Sequence, residues 1–242
     1  MSGYLARIGS DTRRDPPEPT RGFAEALAAG PHVTVIAELK RSSPSQGAIA
    51  PDADVVATAA CYESGGAACL SVLCAERDFG GSLDDLSAAR AAVSIPAIAK
   101  DFTVFPEQVA RQRLAGADAI LVILAMVSDG EARRLIDTAA LLGMDALVET
   151  HDAAEVDRAL GLGASVVGVN ARNLGTLEID RGRQLALLAT LPATVTRVAE
   201  SGIAVRDDVA AARDAGADAV LVGTALMRDP ALLGTLVGVE RG

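Results

Sequence analysis

A carboxylate and an amine lie two residues apart where an apolar run of the sequence ends. The run 33–37 continues into Glu38, Leu39 and Lys40, and a segment rich in serine, with a proline and a glycine, follows at 41–47. Successive side chains of an extended strand point to opposite faces, so Glu38 and Lys40 share one side. An acid–base pair on one side of a strand end is suited to act on a single substrate.

Lysine is confined to two positions of the chain. Of the 22 lysine and arginine residues, only Lys40 and Lys100 are lysine, and Lys100 also ends an apolar run, at 95–99. Lysine differs from arginine because it is a compact charge whose pKa can fall, so that it can release a proton. The two lysines therefore predict proton donation or a positioned ammonium rather than a contribution to solubility.

Other apolar runs also end in polar residues. They end in Lys100-Asp101, in Glu149, in Asn170 with Arg172, in Glu200-Ser201-Gly202 and in Gly223-Thr224. A solvated loop charge is a sufficient explanation for any one of them. Charged groups that converge at one place are costly to desolvate, so the whole set indicates paired and functional groups.

The elements that position these residues are indicated by an internal repeat. The segment 115–122 recurs one hundred residues later as 215–222, and weaker copies occur at 65–72 and 162–169. In each copy a glycine that can adopt a left-handed conformation ends a helix just before an aliphatic strand. Helical patterns occupy 52–63, 83–92, 129–142, 153–160, 206–215 and 225–236.

Further apolar runs at 33–37, 95–99, 145–148 and 195–199 bring the predicted strands to eight. Two strands and two helices repeated four times predict an α/β fold, a closed (βα)8 TIM barrel that forms a single catalytic domain over residues 21–242. An open doubly wound sheet is the alternative, but it explains the repeat less well, and no GxGxxG follows the first strand. Residues 1–20, polar and rich in proline, are predicted to be a flexible N-terminal tail.

In a barrel of this kind the carboxyl ends of the strands and the loops that follow them form the active site. Glycines before the helices that follow strands 7 and 8, Gly202 and Gly223-Thr224, predict a phosphate site. Phe79 and Phe102 follow strands 2 and 3 in a chain with only 2% aromatic residues. They predict stacking on a planar ring, with plugging of the barrel mouth as the alternative.

Composition argues against several other functions. The formal net charge of −10 disfavours nucleic-acid binding, and no run of 18 apolar residues or signal-peptide core occurs, which predicts a cytoplasmic protein without a membrane span. The cysteines, Cys61, Cys69 and Cys74, lack CxxC spacing and are expected to be small buried side chains. His32 and His151 have no partner at metal-ligand spacing, so no metal is expected.

Seven segments, in order and at the appropriate strand ends, resemble the motifs of the indole-3-glycerol-phosphate synthase family. They are VIAELKRSSPSQG (35–47), LSVLCAERDFGGSLDDL (70–86), IPAIAKDFTVFPEQV (95–109), ALVETHD (146–152), GVNARNL (168–174), VAESGI (198–203) and LVGTALM (221–227). The resemblance extends from about Arg21 to the C-terminus.

The resemblance implies ring closure of 1-(2-carboxyphenylamino)-1-deoxyribulose 5-phosphate to indole-3-glycerol phosphate, with release of carbon dioxide and water and without a metal or organic cofactor. It implies that Lys100 is the general acid, that Glu149 transfers a proton during dehydration, and that Glu38 and Asn170 assist. Lys40 would link the active site to the phosphate end or share the acid role. The remaining residues that it implies are Ser43, Arg172, Glu200 and Ser201 in the substrate shell, Phe79 and Phe102 flanking the anthranilate ring, and the amides of Gly202, Gly223 and Thr224 at the phosphate.

Two alternatives stay open. One is a paralogue that closes a substituted anthranilate derivative, favoured by a short Pro-rich N-terminal segment and by Ala99 and Ala171, where the family often has arginine and asparagine. The other is a catalytically silent barrel within an enzyme complex, against which the intact set of acids and bases argues. The expected partner is a small phosphorylated substrate, with no nucleic acid or membrane. The chain is expected to be a monomer, with a complex of tryptophan-pathway enzymes left open.

Overall fold

The computed structural model describes residues 18–241, in which eight parallel strands close into a barrel. Each strand pairs with the next one along the chain, and the eighth pairs with the first. The strands are β1 (Thr34–Leu39), β2 (Cys69–Leu73), β3 (Ala97–Lys100), β4 (Ala119–Ile123), β5 (Asp145–Thr150), β6 (Val166–Asn170), β7 (Thr196–Glu200) and β8 (Ala219–Val222). The predicted (βα)8 barrel is confirmed, and the open sheet is excluded.

Helices cover the outside of the barrel, and one of them closes the end that the amino ends of the strands form, here called the lower end. They are α1 (Phe23–Ala28), α2 (Val55–Ser64), α3 (Glu76–Phe79), α4 (Leu83–Ala92), α5 (Pro106–Leu114), α6 (Asp129–Leu141), α7 (Ala153–Gly161), α8 (Arg181–Leu188), α9 (Arg206–Asp214), α10 (Thr224–Arg228) and α11 (Leu233–Leu236). Short 3-10 turns occupy Leu124–Met126 and Pro230–Leu232. The segment after β1, expected to be a loop, contains a small hairpin of Ser42–Ser43 with Gly47–Ala48.

The last predicted helix, 225–236, is broken into α10, a 3-10 turn and α11. Asp229 before Pro230 is extended, with φ −147° and ψ 94°. Proline has no backbone N–H and disfavours a helical conformation in the residue before it, so the helix stops there.

The lower end of the barrel is closed by α1. Phe23 and Leu27 are fully buried among the inward-facing strand residues. The side chain of Asp118 accepts hydrogen bonds from the backbone N–H groups of Arg21 and Ala97, each at 2.8 Å, and from the Arg90 guanidinium. Because α1 seals this end and the Asp118 carboxylate is already hydrogen-bonded, the barrel is open at its other end, which the carboxyl ends of the strands form.

The hundred-residue repeat is matched by equivalent contacts. Asp118 accepts from the N–H of Ala97, and Asp218 accepts from the N–H of Arg197 at 2.9 Å. Gln108 at the start of α5 accepts from the N–H groups of residues 104 and 105, and Asp208 at the start of α9 accepts from those of residues 204 and 205. The two copies therefore build two equivalent parts of the barrel.

Two expectations about the rest of the chain have different outcomes. Cys69 and Cys74 are buried, but Cys61 is exposed on α2, so the expectation of a buried side chain is wrong there. Most of the predicted flexible tail, residues 1–17, lies outside the described residues and stays a prediction. Glu18 contacts Arg90 at 3.0 Å, and Thr20 donates a hydrogen bond to the Gly143 carbonyl. No helix in residues 18–241 is long and apolar enough to cross a membrane.

Candidate active site

A cavity of about 670 Å³ opens at the carboxyl end of the barrel. Every residue that the sequence predicts for the site lies in its wall: Glu38, Lys40, Ser43, Phe79, Lys100, Phe102, Glu149, Asn170, Arg172, Glu200, Ser201, Gly202, Gly223 and Thr224. The structure therefore brings together residues from the ends of seven of the eight strands or from the segments that follow them. Their chemical roles stay predictions.

Strand alternation explains why these side chains meet. One layer of inward-facing side chains consists of Ile36, Cys69, Ile98, Leu121, Leu147, Val166, Val198 and Leu221. The positions two residues further along the eight strands, here called the upper ring, are Glu38, Ser71, Lys100, Ile123, Glu149, Gly168, Glu200 and Gly223. Because side chains two residues apart in a strand share a face, the upper ring lies directly above an apolar floor.

Lys100 lies among the carboxyl groups of the upper ring. Its Nζ is 3.2 Å from Glu149 Oε2 and 3.5 Å from Glu200 Oε2. Burial by itself favours the neutral amine, but Glu149, Glu200 and Glu38 outweigh it and raise the pKa of Lys100 above its ordinary value. Lys100 is therefore an ammonium in the free site and gives up its proton only to a strongly basic atom.

Glu149 is held in its ionised form. Burial opposes ionisation, but Lys100, His151 and Asn170 outweigh it, so that the pKa of Glu149 lies below its usual range. Asn170 Nδ2 donates to Glu149 Oε1 at 3.0 Å, and His151 Nε2 lies 3.2 Å from the same oxygen. With 1% of its surface exposed, Glu149 is a buried carboxylate positioned by three neighbours.

Glu200 is the protonated counterpart of Glu149. Burial and the charge of Glu149 raise the pKa of Glu200 to about 8, and the nearby Lys100 only partly offsets this. Neither carboxyl oxygen of Glu200 accepts a hydrogen bond from a donor within residues 18–241. Two adjacent carboxyl groups thus carry different charges near neutral pH, an arrangement that separates an acid from a base.

Glu38 and Lys40 form a separate ion pair. Lys40 Nζ lies 2.8 Å from Glu38 Oε1, and Ser71 Oγ donates to Glu38 Oε2 at 3.4 Å. Burial raises the pKa of Glu38, but Lys40 and Lys100 outweigh it, and the net pKa is lowered. A Cβ at Gly223 would overlap Glu38 Oε1 and come within 3.0 Å of Lys40 Nζ. Gly223 therefore leaves room for the pair, whereas its role at a phosphate stays a prediction.

The predicted phosphate end has unusual backbone geometry. Ser201 and Gly202 have φ values of 67° and 75°, so two consecutive residues are left-handed. The N–H groups of Ala204 and Val205, at the start of α9, are bonded to Asp208. Ser201 and Gly202 line the cavity just before these bonded amides, and their role at a phosphate stays a prediction.

The loops after β1 and β6 are held by their own hydrogen bonds. Arg172 donates its backbone N–H to Asn170 Oδ1 at 2.9 Å and its guanidinium to the Leu177 carbonyl. Gln46 in the hairpin accepts from Arg228 of α10 at 2.9 Å. Ser43, in the first strand of this hairpin, is buried. These contacts place polar groups around the rim before any substrate binds.

The two aromatic residues of the wall contact each other. The ring centroids of Phe79 and Phe102 are 6.0 Å apart, and the ring planes are inclined by 41°. This spacing is too small to enclose a third ring, so the pair offers one continuous aromatic surface. Leu121, Ile123 and Leu221 add an apolar floor, which suits the body of a planar substrate.

Two polar residues near the site were not predicted from the sequence. Ser71 is a hydroxyl in the otherwise apolar β2, which is a signal that an inward-facing position carries a polar group. The sequence raises His151 only as a possible metal ligand, whereas the ring lies between Glu149 and Glu155. No group of three or more His, Cys, Asp and Glu side chains in residues 18–241 is arranged to hold a metal ion.

Comparisons with known proteins identify the family of the chain. The family model described as Indole-3-glycerol phosphate synthase matches residues 5–234. Indole-3-glycerol phosphate synthase 1 of Streptomyces coelicolor is 48% identical over 229 residues, which cover 93% of this chain and 85% of that protein. The Mycolicibacterium vanbaalenii synthase is 51% identical over 211 residues, which cover 87% and 77%.

A more distant solved structure, described as "Native KDPGal structure", shares only the fold. It has a TM-score of 0.57 at 18% identity and covers 84% of this chain and 91% of that one. The family match, by contrast, extends over nearly the whole chain at about half identity. The chain therefore belongs to the indole-3-glycerol phosphate synthase family.

Proposed function

We propose that the upper ring and its neighbours catalyse the reaction of this family in two stages, and we assign a role to each group. The chain is a lyase that closes the indole ring of 1-(2-carboxyphenylamino)-1-deoxyribulose 5-phosphate, with loss of carbon dioxide and water. The observation that carries the assignment is the position of the Lys100 ammonium beside one ionised and one protonated carboxyl group.

Lys100 acts in the first stage. The ring carbon that bears the carboxylate forms a bond to the ketone carbon, and the electrons of the carbonyl move to its oxygen. Lys100 protonates that oxygen, because a developing alkoxide is basic enough to take a proton even from a lysine of raised pKa. The bond to the carboxylate then breaks, carbon dioxide leaves, and its electron pair restores the aromatic ring.

Glu149 and Lys40 act in the second stage. The ring-closed intermediate loses its hydroxyl group as water and a proton from the carbon next to nitrogen. Glu149 accepts that proton, since it is ionised and oriented by Asn170. Lys40 protonates the departing hydroxyl, and Glu38, 2.8 Å from its Nζ, holds the ammonium in place.

The remaining wall residues bind the two ends of the substrate. The anthranilate ring packs on the surface of Phe79 and Phe102, above the apolar floor. The phosphate binds the backbone amides around Gly202, Gly223 and Thr224, which are residues of the cavity wall. Ser43, Arg172 and Ser201 contact the chain between these ends, and Glu200 donates a hydrogen bond as a neutral acid.

The substituted-anthranilate alternative gains no support from the geometry. Ala99 and Ala171 are fully buried, and neither lies in the wall of the cavity that residues 18–241 form. Alanine at these two positions, in place of the larger arginine and asparagine that the family often has, therefore does not change the shape of the ring-binding surface. The catalytically silent alternative also lacks a supporting observation, since each predicted proton-transfer group is in place. A monomeric state and a cytoplasmic location remain further proposals, which gel filtration with light scattering and cell fractionation test.

The proposed function is tested by indole fluorescence. Incubation of the full chain with the carboxyphenylamino-deoxyribulose phosphate is expected to produce indole fluorescence and a stoichiometric release of carbon dioxide. Lys100→Met is expected to lower the rate of both signals about 10³-fold while the protein stays folded by circular dichroism. Absence of fluorescence from the folded wild-type protein would overturn the proposal.

A further inference from the structure

His151 connects the active-site carboxylate to a second carboxylate outside the cavity. Its Nε2 lies 3.2 Å from Glu149 Oε1, and its Nδ1 lies 3.0 Å from Glu155 Oε2 on α7. The backbone N–H of His151 also donates to Glu155 Oε2, at 2.8 Å. With only 9% of its surface exposed, the ring is held in one orientation between two acids.

This geometry dictates the protonation state of the ring. A neutral imidazole has one donor nitrogen and one acceptor nitrogen, so it can satisfy only one of two flanking carboxylates. The other carboxylate would then face a lone pair. An imidazolium is attracted to both carboxylates: Nδ1 is hydrogen-bonded to Glu155 Oε2, whereas Nε2 lies 3.2 Å from Glu149 Oε1 without hydrogen-bond geometry, so that this contact is electrostatic. The pKa of His151 is accordingly raised, since Glu149 and Glu155 outweigh the effect of burial.

The other charged groups around the ring do not alter this balance. Glu149 on β5 and Glu155 on α7 are the acids that face it. Asp152 caps α7 by accepting from the N–H of Glu155, and Arg158 on the same helix is bonded to Asp129 and to the carbonyls of Leu124 and Val127. From β6 the nearby polar group is Asn170, which is uncharged and donates to Glu149.

We propose that His151 is a positioning residue that makes Glu149, rather than the adjacent Glu200, the ionised base of the site. The inference rests on the proposed role of Glu149. Lys100 is close to both carboxyl groups, 3.2 Å from Glu149, to which it donates a hydrogen bond, and 3.5 Å from Glu200. Asn170 also donates to Glu149, but it carries no charge. The imidazolium contacts Glu149 but not Glu200. Its positive charge therefore lowers the pKa of Glu149 relative to that of Glu200, so that the negative charge of the pair is located on Glu149.

A pair of variants tests the role of the ring in catalysis. His151→Gln keeps the polar side chain but cannot carry a charge. It is expected to lower kcat about tenfold or more with a KM changed by less than threefold, and to move the acidic limb of the kcat–pH profile to higher pH, because more hydroxide is then needed to ionise Glu149. His32→Gln, at an exposed position outside the cavity, is the matched control and is expected to keep the wild-type profile. A wild-type profile and rate in folded His151→Gln would overturn the proposal.

Proton NMR measures the titration of the His151 ring directly, because the chain has only two histidines and their resonances are easily separated. The His151 resonances, assigned by their loss in His151→Gln, are expected to titrate at a higher pH than those of an ordinary histidine, which titrates near pH 6.5. Glu155→Gln is expected to move that titration to lower pH. A midpoint at or below pH 6.5 in the wild-type protein would overturn the proposal.

Glu149→Gln separates this inference from the proposed function. Loss of turnover in Glu149→Gln with no effect of His151→Gln would contradict the role of His151 alone. Wild-type turnover in Glu149→Gln would contradict the proposed function itself, and with it the role of His151 as its positioning residue. Loss of turnover in both variants, with the shifted pH profile in His151→Gln, is the expected result.

Discussion

Gly168 on β6 lies directly against the carboxyl group of Glu200 on β7, so closely that a Cβ at position 168 would overlap Glu200 Oε1. Gly168 belongs to the upper ring, where every other position except Gly223 carries a side chain that reaches into the lumen. Its missing side chain is what provides the space that the protonated carboxyl group occupies.

Gly168→Ala is therefore expected to displace Glu200 and to lower turnover at least tenfold, with a loss of about 1–3 kcal/mol in the free energy of unfolding. Gly161→Ala is the matched control, because position 161 lies in α7 and an added methyl group there would meet no atom of residues 18–241 within 4 Å. It is expected to leave turnover unchanged. Single-turnover fluorescence and urea unfolding measure both quantities, and equal behaviour of the two variants would contradict the close contact.

Lys100→Met removes the cation that Glu149, Glu200 and Glu38 share. The pKa values of these buried carboxyl groups should then rise above those of the unfolded chain. A group with a raised folded-state pKa contributes its stability below the unfolded pKa and loses it as the pH rises through the folded pKa. We expect the variant to be destabilised relative to wild type more at pH 8 than at pH 5, and turnover to fall about 10³-fold.

Thermal unfolding at the two pH values measures the first effect. Lys40→Met is a useful comparison, because it removes the ammonium that pairs with Glu38 alone through its side chain. Its pH dependence is expected to be the smaller of the two. An equal destabilisation of Lys100→Met at pH 5 and pH 8 would show that Lys100 does not neutralise the buried carboxyl groups.

Glu200→Gln tests the protonated state of Glu200. Its pKa of about 8 exceeds the unfolded value near 4.3, so the wild-type protein should lose stability from this group as the pH rises between those values. The amide mimics the neutral acid and does not titrate. Relative to wild type, the variant should become more stable by a few kcal/mol between pH 5 and pH 9, and should keep turnover within about tenfold at pH 7.

Urea unfolding of both proteins across this pH range measures the difference. Glu149→Gln is the contrasting variant, because Glu149 is ionised. Its replacement should abolish activity and should not relieve the loss of stability that the wild-type protein shows at high pH. If Glu200→Gln and wild type show parallel stability–pH curves, Glu200 is ionised throughout and the assignment of the two carboxyl groups is wrong.

Asp118→Ala tests the sealed end of the barrel. Asp118 is fully buried and accepts from two backbone N–H groups and the Arg90 guanidinium. Its removal is expected to cost about 3–5 kcal/mol of unfolding free energy, because a buried cation and buried donors lose their partner. Asp218→Ala, at the partly exposed equivalent position, should cost less. Turnover per folded molecule should change less than twofold in both.

The positions of the catalytic groups could be predicted from the sequence because they depend on local periodicity. A strand with Ile98 inward must also place Lys100 inward, and the same holds for Leu147 and Glu149. The repeat predicted the closed barrel for a similar reason, since each copy contains a complete helix end and strand start.

Protonation states and partners could not be predicted in this way. Lys100 and Glu149 are 49 residues apart, and the distances that decide their charges exist only after the barrel closes. His151 depends on Glu155, which reaches it only once α7 begins at Ala153. Cys61 was expected inside because cysteine is often buried, but its position on α2 turns it to solvent.

The hundred-residue repeat has one further consequence, at the pair Lys100 and Glu200. These two residues hold the same position in their respective copies, yet one is a cation and the other an acid, and they face each other 3.5 Å apart. Identical copies would have set like charges against each other in the lumen. The two halves of the barrel are therefore alike in the hydrogen bonds of Asp118 and Asp218 at the lower end and opposite in charge at positions 100 and 200 at the open end. Two copies of either half would lack the complementary charges on which the proposed proton transfers depend.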